Sequence, residues 1–332
     1  MRRNCSTLGG RTKTRDVTSR AVRCGDRRFT SGRRRWWSTS ITSLVVLLAA
    51  GLVDLNSLAP CGGTAFGDGV ICGSRTAAAA EPFAGRKSEY NGYDRYDFKV
   101  DDRDAIVVVP KQAAAGRPWV WRAEFFNAFP QIDLALLEHG YHLAYIQVGN
   151  TFGCPDALKH WDVFYRELTE KHGLSRRPIL EGLSRGGLYC FNWAANHTDQ
   201  VGGILADNAV LDFKSWPGGK GTGKGSPNDW KKLIQDYHFA SEAEALAYKL
   251  NPVDNLAPLA KAKVPLYLLY ADKDDVVPHT ENSELVKKRY EQLGGPVVAH
   301  VKPGLGHHPH GLTDAKPVVD WAERIAREPR LP

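Results

Sequence analysis

A short apolar segment that ends in a Gly-x-Ser-x-Gly motif most strongly limits the folds open to this chain. The apolar run begins at residue 179, the motif occupies residues 182–186, and apolar residues at helical spacing continue to residue 194. This pattern predicts a strand, a sharp turn and a helix, with Ser184 on the turn. A serine on such a turn needs small residues two positions before and after it, and Gly182 and Gly186 meet that need. Because the motif alone is equally consistent with an ordinary glycine-rich turn, a catalytic interpretation depends on partners elsewhere in the chain.

The chain from residue 90 onwards alternates between strand-like and helix-like patterns. Strands are predicted at 96–100, 105–110, 119–123, 142–148, 178–180, 203–207, 264–270 and 297–301, and helices at 132–138, 156–171, 281–293 and 316–327. The alternation predicts an α/β fold with a doubly wound, mainly parallel sheet that begins with two antiparallel strands at one edge. Residues 212–236 break the pattern, and with a helix at 242–250 we interpret about 212–250 as a small cap insertion over the site.

Three side chains follow the carboxyl ends of predicted strands, where functional residues collect in sheets of this kind. They are Ser184, Asp274 and His307. A serine hydroxyl is a poor nucleophile unless a base lies within hydrogen-bond reach and a third group orients that base. The order serine, acid, histidine therefore predicts a nucleophile, an orienting carboxylate and a general base.

Residues from about 90 to 330 resemble the α/β-hydrolase superfamily. The resemblance rests on the motif around Ser184, the acid-bearing segment 272–278 and the segment 304–307, which ends in His307. It implies the α/β-hydrolase architecture and serine hydrolase activity. It also implies that Asp274 is the acid, because the family's acid lies four residues before the proline of this segment. Asp272 and Asp275 are then expected to be turn or surface residues.

The same resemblance implies two backbone N–H donors that stabilise an oxyanion. One is the N–H of Arg185, directly after the serine, and the other comes from the loop after the third predicted strand. This sequence departs there from the usual His-Gly, and the N–H of Glu124 is the best positional choice. Arg122 is interpreted either as a structural ion pair or, like the side chain of Arg185, as a group that binds a substrate carboxylate. Trp216, in the cap insertion, is predicted to contact the substrate.

Histidines could bind a metal and cysteines could form disulfides, but the sequence gives little support to either. His308 and His310 follow His307, but no carboxylate lies within this loop, so we predict neither a metal nor a cofactor. The chain has six cysteines, too few for a disulfide-dense scaffold. In an exported protein, Cys61 with Cys72 and Cys154 with Cys190 are possible disulfides, although Cys190 is equally interpretable as a small apolar residue behind Ser184.

The positive charge is concentrated at the start of the chain. Residues 1–40 carry 12 Lys or Arg and two acidic residues, so a total of +7 leaves −3 on residues 41–332. The body therefore offers no basic surface for nucleic acid. Residues 1–80 are predicted to be a basic leader and linker whose uncharged stretch, 41–53, is too short for a membrane span but fits a signal peptide. We expect a periplasmic or secreted protein with no stable membrane span after processing; the alternative is an uncleaved leader that anchors it.

Residues 81–332 are thus predicted to form an exported serine hydrolase. The main expectation is a carboxylic ester hydrolase that acts through an acyl-enzyme. Export together with Trp216 and Trp230 points to polysaccharide esters, with a small-molecule ester as the other substrate class. The alternatives are a peptidase resembling the prolyl oligopeptidase group, although the chain lacks the propeller domain that such enzymes often carry, and a non-catalytic binding protein on the same fold. The sequence leaves the acyl and alcohol groups, oligomeric state and mature N-terminus open.

Overall fold

The computed structural model describes residues 83–328, which form a nine-stranded sheet with helices packed on both faces. The strands are β1 (Arg86–Tyr90), β2 (Tyr93–Val100), β3 (Arg103–Val109), β4 (Trp119–Arg122), β5 (His142–Ile146), β6 (Ile179–Leu183), β7 (Gly203–Asp207), β8 (Leu266–Ala271) and β9 (Val297–Lys302). The helices are α1 (Gln131–Glu138), α2 (Pro155–Arg166), α3 (Gly186–Asn196), α4 (Pro227–Asp236), α5 (Glu242–Ala247), α6 (Ala257–Lys261), α7 (Ser283–Gln292) and α8 (Lys316–Arg327). The predicted leader, with Cys61 and Cys72, lies outside the described residues.

The sheet order is β1-β2-β3-β5-β4-β6-β7-β8-β9. The first three strands and the β3–β5 pair are antiparallel, and every other pair is parallel. The predicted α/β class and mainly parallel sheet are therefore confirmed. β1 was not predicted, because its sequence Arg-Lys-Ser-Glu-Tyr has no apolar run and it lies mostly exposed at the sheet edge.

Two apolar layers cover the sheet, one on each face. On one face, α1 and α8 pack through Leu136 and Trp321. On the other, α2 and α3 pack through Trp161 and Trp193 against Trp121 of β4, with ring centroids 4.2 and 5.2 Å from Trp121. Strands buried on both faces read as continuous apolar runs, which explains the sequence of β8.

The segment between β7 and β8, which includes the predicted cap insertion, carries α4, α5 and α6. α4 was predicted as part of a loop. It begins at Pro227, directly after Ser226, and its apolar residues Trp230 and Leu233 face the core at helical spacing. The glycines and lysines before it masked a short but regular helical pattern. Within the described residues, no helix has the length and apolarity that crossing a bilayer requires.

Candidate active site

Ser184 lies on the sharp turn between β6 and α3. Its φ angle is +48°, in the left-handed region that residues with a side chain rarely adopt. Two backbone hydrogen bonds join the turn to β7 and to the segment that follows it. The Ser184 N–H donates to the carbonyl of Asp207 at 3.0 Å, and the Ser184 carbonyl accepts from the N–H of Val210 at 2.8 Å. The strained backbone therefore has a physical support, and it presents the hydroxyl beyond the end of the strand.

The close approach that this turn requires occurs at Gly182 rather than at Gly186. A Cβ on Gly182 would lie 2.7 Å from the carbonyl carbon of Gly186, whereas a Cβ on Gly186 would meet nothing closer than the Cβ of Ala123 at 3.5 Å. We expect Gly182→Ala to lower the free energy of unfolding by about 1–3 kcal/mol, because backbone atoms must move apart. Gly186→Ala is the matched control and should leave stability unchanged or slightly higher, since alanine favours a helix. Urea denaturation of both variants measures the difference; equal losses would contradict the packing argument.

The structure brings the three predicted side chains together. His307 Nε2 lies 3.0 Å from Ser184 Oγ, and His307 Nδ1 lies 2.7 Å from Asp274 Oδ2. Because an ionised carboxylate can only accept, Nδ1 carries the proton and Nε2 keeps the lone pair that faces the serine hydroxyl. The arrangement is therefore set to take a proton from Ser184.

Asp274 is held by its own loop. Its second oxygen, Oδ1, accepts the N–H groups of Val276 and Val277 at 2.9 and 2.8 Å. The neighbouring carboxylates have other partners: Asp272 accepts the N–H of Gly304 at 2.6 Å, and Asp275 forms an exposed ion pair with Lys224. Of the three, only Asp274 lies at the histidine.

Residues that the sequence did not single out anchor the loop of His307. Asn208 Nδ2 donates to the carbonyl of His307 at 2.7 Å, and Lys302 Nζ forms a buried ion pair with Asp207 Oδ1 at 2.6 Å. Asp207 also accepts the N–H of Gly311. Burial acts to raise the pKa of Asp207, but His310 and Lys302 outweigh it and the pKa is lowered. The sequence signal that could have identified Asp207 and Asn208 is a pair of polar residues at the end of an otherwise apolar strand, β7.

The two predicted oxyanion donors are backbone N–H groups on the turn of Ser184 and on the loop after β4. Arg185 directly follows Ser184, and the nitrogen of Glu124 lies 3.8 Å from the position of a Cβ on Gly186. Within residues 83–328, neither the Arg185 N–H nor the Glu124 N–H donates to another backbone group in the turns and loops. Both N–H groups therefore stay candidates for stabilising charge that develops on a carbonyl oxygen.

The side chains of Glu124 and Arg185 bind each other and fix the two loops together. Arg185 Nε donates to Glu124 Oε2 at 2.5 Å and Arg185 Nη1 donates to Asn150 Oδ1 at 3.1 Å. The guanidinium carbon lies 5.0 and 5.9 Å from the ring centres of Phe125 and Phe152. Burial raises the pKa of Glu124, although Arg185 opposes the shift. Because Glu124 already matches its charge, Arg185 is a weaker candidate for binding a substrate carboxylate than the sequence suggested.

Arg122 forms the structural ion pair that was one of its two interpretations, and its buried position speaks against the prediction that it contacts a substrate. Its side chain is fully buried, and Nη1 lies 2.8 Å from Asp133 Oδ2 and 3.2 Å from Glu181 Oε1. The same guanidinium donates to the carbonyl oxygens of Glu124 and Ala128. The buried guanidinium cannot reach a ligand in the cleft, and its charge is compensated by the two carboxylates. Arg122 instead supports the loop that carries the Glu124 N–H.

No protein-family model and no curated protein matches the sequence. Solved structures do match it. Puromycin hydrolase aligns with a TM-score of 0.53 at 19% identity over 70% of this chain and 38% of its own. Dipeptidyl peptidase 4 from Porphyromonas gingivalis aligns with a TM-score of 0.51 at 13% identity, over 72% of this chain and 36% of its own. Acylaminoacyl peptidase, in complex with Z-Gly-Gly-Phe-chloromethyl ketone, aligns with a TM-score of 0.50 at 18% identity, over 65% of this chain and 37% of its own. These neighbours are α/β-hydrolase superfamily serine hydrolases.

This chain has the α/β-hydrolase fold. The resemblance inferred from the sequence is thus confirmed for the architecture. The chain spans less than two fifths of the length of each of these structures, and at this level of identity the likeness concerns the fold alone. The roles of individual side chains in this chain must therefore come from its own geometry.

The two tryptophans of the segment after β7 differ in how far they are buried. Trp216 is half-buried, and its ring centre lies 6.3 Å from that of Phe152, which also contacts Arg185. Trp230 is buried beside Phe213 and donates to Glu242 at 3.1 Å. Trp216 therefore remains a candidate for substrate contact, whereas Trp230 is a core residue.

The two cysteines within the described residues are both reduced. Cys154 and Cys190 are free and buried, so the disulfide considered between them does not form. Burial raises the pKa of both thiols, which makes them unreactive. Cys190 instead packs in α3 as a small apolar residue, the alternative interpretation.

Proposed function

We propose that this α/β-hydrolase is a serine hydrolase that works through an acyl-enzyme on Ser184. The observation that carries the proposal is the continuous contact from Asp274 through His307 to Ser184, at 2.7 and 3.0 Å. His307 would take the hydroxyl proton as Ser184 Oγ attacks a carbonyl carbon. The N–H groups of Arg185 and Glu124 would stabilise the oxyanion. His307 would then protonate the leaving group and later activate the water that releases the acid.

A fluorophosphonate probe tests this proposal directly, because it reacts only with an activated serine. The wild-type chain should be labelled and Ser184→Ala should not. Ser88→Ala, on the edge strand β1, is a matched control and should label as the wild type does. An unlabelled but folded wild-type chain would favour the binding-protein alternative instead.

Amide bonds are the proposed substrates, in place of the esters expected from the sequence. The three structures with comparable folds are named as an acylaminoacyl peptidase, a puromycin hydrolase and a dipeptidyl peptidase, which favours the peptidase alternative. The support for polysaccharide esters is weaker because Trp230, one of the two tryptophans behind it, is buried. Export, which rests on residues outside the described part, stays a proposal.

A matched pair of substrates separates amide from ester cleavage. An acylated amino acid is offered as its p-nitroanilide and as its p-nitrophenyl ester, and kcat/KM is divided by the uncatalysed rate for each. We expect a larger acceleration for the anilide, because protonation by His307 matters most for the poorer leaving group. Rapid ester cleavage without measurable anilide cleavage would return the carboxylic ester hydrolase to first place.

A further inference from the structure

Three imidazole rings in the loop after β9 surround a common point. The ring centres of His307, His308 and His310 lie 4.9, 5.1 and 5.1 Å apart, and their planes are inclined to one another by 68 to 82°. One ring nitrogen from each lies within 4.8 Å of the other two. Within residues 83–328, this is the group of side chains that could hold a metal ion.

The spacing of the rings matches that of a three-histidine metal site. Nitrogen ligands at about 2.0–2.1 Å from a tetrahedral ion place the centres of their rings about 5 Å apart. The ring centres already have this separation, so binding an ion requires the rings to turn their nitrogens inward, and for His307 this turn takes Nε2 away from Ser184 Oγ. His308 is exposed, which gives an ion a path from solvent, while His307 and His310 are largely buried.

Carboxylates stand behind two of the three rings. Asp274 Oδ2 lies 2.7 Å from His307 Nδ1, and Asp207 Oδ2 lies 3.5 Å from His310 Nδ1. Histidines that bind metals commonly direct their second ring nitrogen at a carboxylate, which fixes the ring and strengthens the ligand. This arrangement cannot be seen in the sequence, because one carboxylate follows β8, the other ends β7, and neither lies in the histidine loop.

We propose that His307, His308 and His310 bind a divalent transition-metal ion such as Zn²⁺, and that the bound ion switches the enzyme off. The second part rests on the proposed function. Nε2 of His307 faces Ser184 Oγ at 3.0 Å with the lone pair that would accept the hydroxyl proton. A nitrogen that donates this lone pair to a metal cannot accept a proton, so Ser184 loses its base while the ion stays bound. Imidazole ligands favour Zn²⁺ over Mg²⁺ or Ca²⁺, which prefer oxygen.

Calorimetric titration of the tag-free, chelator-treated chain with Zn²⁺ tests the site without requiring any activity. We expect one ion per chain in the wild type and at least about tenfold weaker binding in His308→Gln and His310→Gln. His308 is exposed, so its replacement should not disturb folding. His238→Gln, at an exposed histidine paired with Asp156, is the matched control and should bind as the wild type does. Unchanged affinity in both loop variants, or no binding to the wild type, would overturn the site.

Inhibition is measured with the substrate that the wild type cleaves best. Zn²⁺ should reduce turnover with a midpoint equal to the dissociation constant, EDTA should restore it, and Mg²⁺ should have no effect. Full turnover with the site saturated would overturn the switch. Zinc binding that depends on His308 in a chain that hydrolyses nothing would uphold the site and count against the proposed function alone.

Discussion

Replacing Asp274 with asparagine is expected to lower kcat about 10⁴-fold without unfolding the chain. The amide keeps an oxygen for the N–H groups of Val276 and Val277, so the loop should hold its shape. Its NH₂ group, however, would face His307 Nδ1 and favour the tautomer that carries its proton on Nε2. The imidazole would then present a proton, and no lone pair, to Ser184.

Asp275→Asn is the matched control, since this neighbouring carboxylate forms only an exposed pair with Lys224. Steady-state kinetics on both variants, with far-ultraviolet circular dichroism to check the fold, should show a large fall in kcat for Asp274→Asn and little change for Asp275→Asn. Equal effects in the two variants would mean that the acid has been assigned to the wrong position.

Replacing Arg122 with methionine is expected to lower the free energy of unfolding by about 3–5 kcal/mol at neutral pH. The change leaves the carboxyls of Asp133 and Glu181 buried without their positive partner. The ionised form of Glu181 is already disfavoured in the native chain. Burial, and after it the nearby Asp133, raise the pKa of Glu181 well above the usual value, although Arg122 opposes the shift. Urea denaturation at pH 7 measures the loss.

The loss should shrink as the pH is lowered. Without Arg122, the folded-state pKa of the Glu181 carboxyl rises further above its unfolded value. Such a group stabilises the fold below its unfolded pKa, and this contribution disappears as the pH rises through the folded pKa. Arg327→Met is the control, because Arg327 is exposed, pairs with Glu323 one helical turn away, and its loss should cost at most about 1 kcal/mol. A similar small cost for Arg122→Met would show that the buried carboxyls do not need it.

The sequence could predict the parts of the site that depend on local pattern and chain order. The turn at Ser184 follows from its glycines, whereas the choice of Asp274 and His307 among their neighbours needs the resemblance to the α/β-hydrolase superfamily as well as their places after predicted strands. The three side chains meet because the sheet brings the carboxyl ends of β6, β8 and β9 to one edge.

Partnerships between distant residues could not be predicted in this way. Arg122 reads as a candidate ligand for substrate because a sequence does not show that Asp133 and Glu181 meet it inside the molecule. Lys302 and Asp207 are 95 positions apart and come together only because β7 and β9 both flank β8. Burial decides the role of each of these charges, and burial follows from the tertiary fold.

The antiparallel hairpin of β1 and β2 forms the outer border of the sheet, four strands away from the one that delivers Ser184. Its turn consists of Asn91 and Gly92, both exposed and both with positive φ angles. Ser184, Asp274 and His307 follow β6, β8 and β9, which lie in the other half of the sheet. A peptide tag or a second protein inserted into this turn would therefore not contact them. The hairpin is therefore a position at which the protein could be attached to a surface or fused to a partner without changing the candidate active site.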